Sequence, residues 1–243
     1  MDLSIVITTY NYEKYLEDCI RSCIHQENHS CNYEILIVDD GSTDKTDVIL
    51  DSYSNINNIK KYHIKNSGIE KASNFGFKKS SGKYIVRVDA DDALLPNYIS
   101  SIERDIFKEK DFIFTNYSTI NTNGKILKNN SNLPEFDKKE IHARGDFLAT
   151  GTAYKKEIIE TYKGYNTDKI NSGLENYEFV LQLISKGYEG SLVEDIAFLY
   201  RRHNLNISEI KKDAIIMNGK NLFKKLGLGR FKTNKNHPYG LKV

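Results

Sequence analysis

The sequence predicts an α/β fold with a mainly parallel sheet, and three observations carry that prediction. Short apolar, β-branched runs recur at residues 3–9, 35–38, 59–64 and 84–88; helical patterns separate them; polar and acidic clusters follow three of the runs directly. Strands alternating with helices form parallel sheets covered on both faces, so each strand reads as a continuous apolar segment. Ligands of such sheets bind beyond the carboxyl ends of the strands, which places residues 8–11, 39–44 and 89–92 on one rim.

The elements follow in order. After the first strand, a turn at Asn11 precedes a helix with Tyr15, Leu16, Cys19, Ile20 and Cys23 on one side. The second strand ends in an Asp-Asp-Gly-Ser turn that caps a helix through Val48, Ile49 and Leu50. A third strand, a helix over 69–79 and a fourth strand lead to Asp89-Ala90-Asp91-Asp92. A helix starts near Pro96, residues 112–115 form another strand, and Asn123-Gly124 turns a hairpin between 117–121 and 125–127. Residues 129–139, polar and carrying Pro134, read as a loop, followed by helices at 157–162 and 174–186 and a strand at 196–201.

Composition narrows the function. Lys and Arg number 35 against 33 Asp and Glu, so the chain lacks the global basic field of a nucleic-acid-binding protein, and nucleic acid is excluded as a partner. The charge is nevertheless divided: residues 201–243 carry a net +9, leaving −7 on the first 200. The three cysteines lack metal-ligand spacing, and Cys19 and Cys23, four apart in a helix, read as buried thiols. The opening residues lack the features of a signal peptide and no apolar run reaches membrane-spanning length, so the expected location is the cytosol. No residue pattern specifies an oligomeric state.

Acids concentrated at the end of an apolar strand are costly unless a cation or solvent receives them. Mg²⁺ or Mn²⁺ held by one or two carboxylates completes its shell with diphosphate oxygens, so Asp89 and Asp91 suit a nucleotide diphosphate; helix capping by Asp91 or Asp92 is the plainer reading.

Here the chain resembles the family 2 glycosyltransferases, from Leu3 to about Ser208. Residues 4–11 look like the family's opening strand and turn, and Val38-Asp39-Asp40-Gly41-Ser42-Thr43-Asp44 is similar to its second motif. Asn66-x-Gly68, Ala72-x-Asn74-x-Gly76 and Gly82-x-Tyr84-Ile85 then lead into the acidic motif. The resemblance implies a GT-A, Rossmann-like nucleotide-binding fold: a domain over 1–206, divided into a donor half (1–95) and an acceptor half (96–206), with a basic helical tail at 207–243. It implies that Thr8, Tyr10 and Asp39 touch base or ribose, that Asp91 ligates the metal, and that Asp89 lies near ribose or metal. Thr8 and Asn11 equally suit contact with the donor and a plain strand end or turn, and Lys71 either steadies a phosphate or sits on a solvated helix face.

The second half decides the mechanism. Where relatives carry a Glu-Asp pair whose Asp is the base, this chain has Glu175-Asn176, and an amide cannot accept a proton. Glu175 and Glu178, three apart on one helical face, are the nearest carboxylates; Glu175 is the first candidate and Glu178 the second, against the plainer reading of solvated helix charges. Tyr200-Arg201-Arg202-His203, with Ser208, looks like the segment that lies over the donor diphosphate in relatives, implying His203 at the metal and Arg201 or Arg202 at phosphate. Gly151-Thr152-Ala153-Tyr154 resembles the floor of the acceptor pocket. In the tail, Ile210, Ala214, Met217, Leu222 and Leu226 stand among lysines, as in a helix on an anionic membrane or one packed on the domain.

The reaction so implied is transfer of a sugar, with inversion, from a nucleotide diphosphate sugar, most commonly a uridine one, to a saccharide or lipid-linked acceptor in polysaccharide or glycoconjugate synthesis. Two rivals stand beside it. One is a nucleotidyltransferase, whose glycine- and Arg/Lys-rich triphosphate loop is missing here. The other is a donor-binding but inactive partner subunit, suggested by Asn176.

Overall fold

Leu3–Thr9, a strand (β1) in which every residue is buried, sits inside the sheet because β1 has a parallel neighbour on each side. The computed structural model describes residues 1–131, 133–136, 138–144, 151–233 and 243. In it β2 (Tyr33–Asp39) flanks β1 on one side and β4 (Tyr84–Asp89) on the other, while β3 (Ile59–His63) pairs parallel with β2. Between them run α1 (Glu13–Ile24), α2 (Thr46–Ser52) and α3 (Ile69–Lys79). The buried face of α1 is Tyr15, Leu16, Cys19, Ile20 and Cys23, as the periodicity predicts. Gly76 lets α3 approach the sheet: a Cβ there would stand 2.4 Å from Val6 Cγ1.

The second half extends the same sheet. After β5 (Ala93–Leu94) and α4 (Tyr98–Phe107) come β6 (Phe112–Ile120), β7 (Ile126–Asn130), α5 (Lys138–Arg144), β8 (Ala153–Lys155), α6 (Lys156–Tyr162), α7 (Glu175–Ser185) and β9 (Gly190–Arg201). The strand order is β3-β2-β1-β4-β8-β6-β9-β5, with β7 on β6. Parallel pairing holds through β3-β2-β1-β4 and between β6 and β9, whereas β8 enters antiparallel to both β4 and β6.

Several expected boundaries move. The 112–115 and 117–121 segments are one strand whose register against β9 shifts around Asn116, a bulge that lets it continue past the irregularity. Asn129 and Asn130, expected in a loop, pair with Ser118 and Tyr117, and residues 138–144 are helical. β9 begins six residues before the expected 196, because Gly190 pairs with Phe112. The tail is two helices, α8 (Ile207–Ile210) and α9 (Lys212–Leu226), the second stopped by Gly227 in a left-handed conformation. Its packed face is Ile215, Asn218, Gly219, Leu222 and Phe223, leaving Ile210, Ala214 and Met217 outside. No helix among the described residues is long and apolar enough to cross a membrane.

One polar tie crosses the strands. Glu34 is buried in β2; its Oε1 accepts from Ser4 Oγ (2.7 Å), Ser81 N (2.6 Å) and Ser81 Oγ (2.6 Å), and its Oε2 from Lys60 Nζ (2.7 Å). Burial alone would raise this carboxyl, but Lys60, Ser81 and Ser4 outweigh it and hold it down at about 2. Glu34→Gln therefore lowers stability by about 1–2 kcal/mol near neutral pH, a figure discounted because half of the Lys60 side chain is in solvent. The contribution is complete above the ordinary value of 4.5 and disappears as the pH falls through the folded value of about 2. Denaturant unfolding of both proteins across that window checks the assignment; a stability difference independent of pH contradicts it.

Candidate functional site

The parallel register aligns Thr8 with Val38 and Asp89, and Thr9 with Asp39, so three strand ends reach one rim. A cavity of about 440 Å³ opens there. Strand-end residues Thr8, Tyr10, Asp40, Asp89 and Asp91 form one wall, and the start of α3 a second through Gly68, Ile69 and Ala72. The start of α7 supplies Leu174, Glu175, Asn176 and Tyr177, and the tail adds Ile207, Lys211, Ile215 and Phe231.

On the first wall, side chains spend themselves on shaping loops. Asn11, in the left-handed region at φ 56°, accepts from Thr43 N (2.8 Å) while its own N–H donates to Ser42 Oγ (2.9 Å). Asp39 accepts from Ser42 N (3.0 Å) and lies 3.2 Å from His63 Nδ1, outside the cavity lining. Its neighbour Asp40 lines the cavity and accepts from Ser67 N (2.8 Å), Ser67 Oγ (3.0 Å) and Gly68 N (2.8 Å). Thr8 Oγ1 is buried without a hydrogen-bond partner, an arrangement that a bound polar group would complete. Tyr10 is 45% exposed at the lip, and Lys71 stands on the exposed face of α3, away from the lining.

The acidic turn is held from β9. Carboxylate oxygens of Asp89, Asp91 and Asp92 lie within 4.8 Å of one another. Asp92 accepts from Arg201 N (2.8 Å). The Arg201 guanidinium, expected at a phosphate, is buried: Nε donates to Asp91 O (2.7 Å), Nη1 reaches the carbonyls of Asn121 and Thr122, and its plane covers the Tyr15 ring at 4.9 Å. Arg202 turns to Tyr200, Ser208 and Glu209. Leu205 N donates to His203 Nδ1 (3.2 Å), which leaves Nε2 as the protonated nitrogen facing Asp91 Oδ2 at 2.9 Å. Asn206 Nδ2 donates to the same carboxylate oxygen (3.1 Å).

These residues fit a hard divalent cation. The donor set is carboxylate oxygen, and Asp89 Oδ1 is buried without a hydrogen bond. Enclosure, reinforced by Asp91 and Glu175 and opposed by Arg87, pushes the Asp89 carboxyl up to about 6, although 28% of the side chain stays accessible. A cation removes that repulsion.

Across the cavity Glu175, 9% exposed at the first turn of α7, accepts from Arg87 Nη1 (3.0 Å) through Oε1, while Oε2 has no hydrogen-bond partner. Asn176 Oδ1 accepts from the hydroxyls of Tyr154 (3.0 Å) and Tyr165 (3.3 Å). Glu178, expected to share a face with Glu175, leaves the cavity: it accepts from Asn166 Nδ2 (3.0 Å) and lies 3.5 Å from Lys225 Nζ. Three residues along a helix turn the side chain about 60° aside, enough to pass the rim. The 151–154 segment, expected as the floor, is outside the cavity lining and joins β4 instead, where Gly151 N donates to Arg87 O (2.8 Å). Sequence reasoning missed Asp40 and Arg87. The signal for Arg87 was a lone cation inside the apolar strand Tyr84–Asp89, tolerable only when paired.

Residues 4–171 match the family model described as glycosyl transferase family 2. Over 191 residues the chain is 29% identical to a chondroitin synthase of Pasteurella multocida (strain Pm70), covering 76% of this chain and 19% of that protein, so the chain spans about a fifth of the relative's length. S. aureus TarS 1–349 in complex with UDP-GlcNAc is similar at a TM-score of 0.74 and 20% identity, over 95% of this chain and 67% of that one. The mannosyltransferase PcManGT from Pyrobaculum calidifontis, in complex with GDP-Man and Mn²⁺, gives 0.68 and 14% over 93% and 64%. At these identities the likeness establishes the GT-A fold.

Asp40→Ala leaves one buried amide donor, one partly buried amide donor and a hydroxyl without their acceptor, which costs about 1–3 kcal/mol and releases the loop at Ser67 and Gly68. Thermal unfolding together with protease susceptibility at that loop tests this, and wild-type behaviour in both would refute it.

Proposed function

The chain belongs to glycosyl transferase family 2, and we propose that it moves a sugar from a uridine diphosphate sugar to an acceptor hydroxyl with inversion, in polysaccharide or glycoconjugate synthesis. The observation that carries this reading is one cavity with Asp89 and Asp91 on one wall and the unpartnered Oε2 of Glu175 on the other. UDP-GlcNAc in TarS and the chondroitin synthase relative support the donor and product classes. Residues 1–95 serve as the donor half, 96–206 as the acceptor half and 207–243 as the tail.

Asp91 and Asp89 would hold Mn²⁺ or Mg²⁺, and His203 Nε2 would be a third ligand in the tautomer that carries the ring proton on Nδ1, which gives up the bond from Leu205 N–H. A divalent cation, when bound, supplies charge neutralisation for a departing diphosphate. Thr8 and Tyr10 face the nucleoside, and Asp39 and Asn11 act on it by shaping the loops. Glu175 Oε2 takes the proton of the acceptor hydroxyl as that oxygen bonds to the anomeric carbon; the bond from that carbon to the diphosphate oxygen breaks, and its electron pair leaves with the diphosphate. Attack opposite the leaving group inverts the carbon. Asn176, an amide, does not compete as base, and its Oδ1 accepts from two tyrosine hydroxyls that would equally engage an aspartate there.

A panel of UDP- and GDP-sugars with Mn²⁺, followed by release of free diphosphate with and without saccharide acceptors, tests the function. Glu175→Gln is expected to lower kcat about 10²–10⁴-fold, Asn176→Asp to give no gain, and Asp91→Ala to abolish dependence on the cation. Nucleotide binding without turnover of any donor would instead favour the inactive partner subunit.

For the tail, the reading is peripheral contact with an anionic bilayer that presents a lipid-linked acceptor. Ile210 and Met217 in the tail, and Leu205 just before it, are each about 60% exposed, and Lys211, Lys212 and Lys220 follow in the same stretch of sequence. Wild type should sediment with phosphatidylserine vesicles at low salt, and L205S/I210S/M217S should not while keeping turnover of a soluble acceptor. Equal sedimentation of the two proteins removes this reading.

A further inference from the structure

We infer that Arg87 is a positioning residue that sets the candidate base Glu175 at a fixed separation from the donor-side carboxylate Asp89. The inference rests on the reading of Glu175 as base. Residues 87 and 89 project from the same face of β4, because side chains alternate along a strand. Arg87 is 5% exposed, and one guanidinium plane serves both sides of the cavity. Its Nε lies 3.2 Å from Asp89 Oδ1 and its Nη2 donates to Asp89 Oδ2 at 3.3 Å; the Nε contact is an ion pair off the hydrogen-bonding line. The third arm, Nη1, donates to Glu175 Oε1 at 3.0 Å across 88 residues of sequence. The ring of Tyr165 lies under the guanidinium at 5.3 Å and limits its tilt.

The consequence for Glu175 is an assignment of its two oxygens. Oε1 is taken by Arg87 and Oε2, buried and without a partner, is the oxygen left for an acceptor hydroxyl. A lysine could neutralise the same carboxylates but not fix their geometry, because one ammonium lacks the rigid fork that reaches both at once. Charge neutralisation alone is therefore rescued by lysine, whereas positioning is not.

The test uses the full chain and the UDP- or GDP-sugar that wild type hydrolyses fastest, with water in place of the acceptor. Arg87→Lys, Glu175→Gln and the double variant are compared by kcat and KM, with UDP affinity by calorimetry and thermal unfolding as readouts independent of turnover. Arg87→Lys is expected to lose about 10–100-fold in kcat with donor KM and UDP affinity within about twofold of wild type, and to add nothing in the Glu175→Gln background. Wild-type kcat in Arg87→Lys beside a dead Glu175→Gln, or losses that multiply in the double variant, overturns the positioning role alone. Full turnover by Glu175→Gln overturns the base assignment and the positioning role with it. Should Arg87→Lys not fold, Tyr165→Leu removes the ring beneath the guanidinium, with Tyr165→Phe as its control. A fall in kcat in the leucine variant only supports the inference, and equal kcat in both overturns it.

Discussion

Crowded negative charge at the end of a buried strand is the constraint around which this molecule is arranged. Asp89, Asp91 and Asp92 occupy four consecutive positions with Ala90, and Glu175 approaches them from another element. At such separations like charges repel strongly unless cations or hydrogen-bond donors intervene. The protein supplies several: Arg87 between Asp89 and Glu175, the Arg201 backbone amide on Asp92, and His203 with Asn206 on Asp91. Arg87 comes from β4 itself and the other donors from the single segment 201–206, so the long-range contacts that hold the second half to the sheet are also those that hold the site.

That identity explains why the second half is built as it is. β9 runs parallel to β6 and ends at Arg201, whose backbone and side chain both reach the acidic turn. From the other direction Glu70 in α3 accepts from the amides of Asn171 and Ser172, drawing the approach to α7 against the second wall. The cavity is thus bounded by parts that are distant in sequence yet fixed to one sheet, which suits chemistry that needs two reactants aligned.

Much of this was legible from residue order, and what was not has a physical cause. The alternation of apolar runs and helices gave the four parallel strands because burial on both faces leaves a plain signature in β1 and β2. The acidic rim followed from the strand ends. The fate of individual polar side chains did not follow, since it depends on partners far away in the chain. Arg201 resembles a phosphate ligand by local pattern, but carbonyls at residues 121 and 122 and the Tyr15 ring claim it. Asp39 and Asp40 are adjacent and chemically identical; only the end of β2 decides that Asp40 faces the cavity while Asp39 holds the turn. Glu175 and Glu178 part company over one helical step for the same reason.

The ties between the acidic turn and residues 201–206 span 109 to 115 positions. A chain emerging from the ribosome makes β1 to β4 long before it makes those partners, and a domain built on one sheet folds as a unit. The acids of the early strands are thus made well before their partners, and the pocket is complete only once residues 201–206 and the lining residues after them, Ile207 to Phe231, have been made.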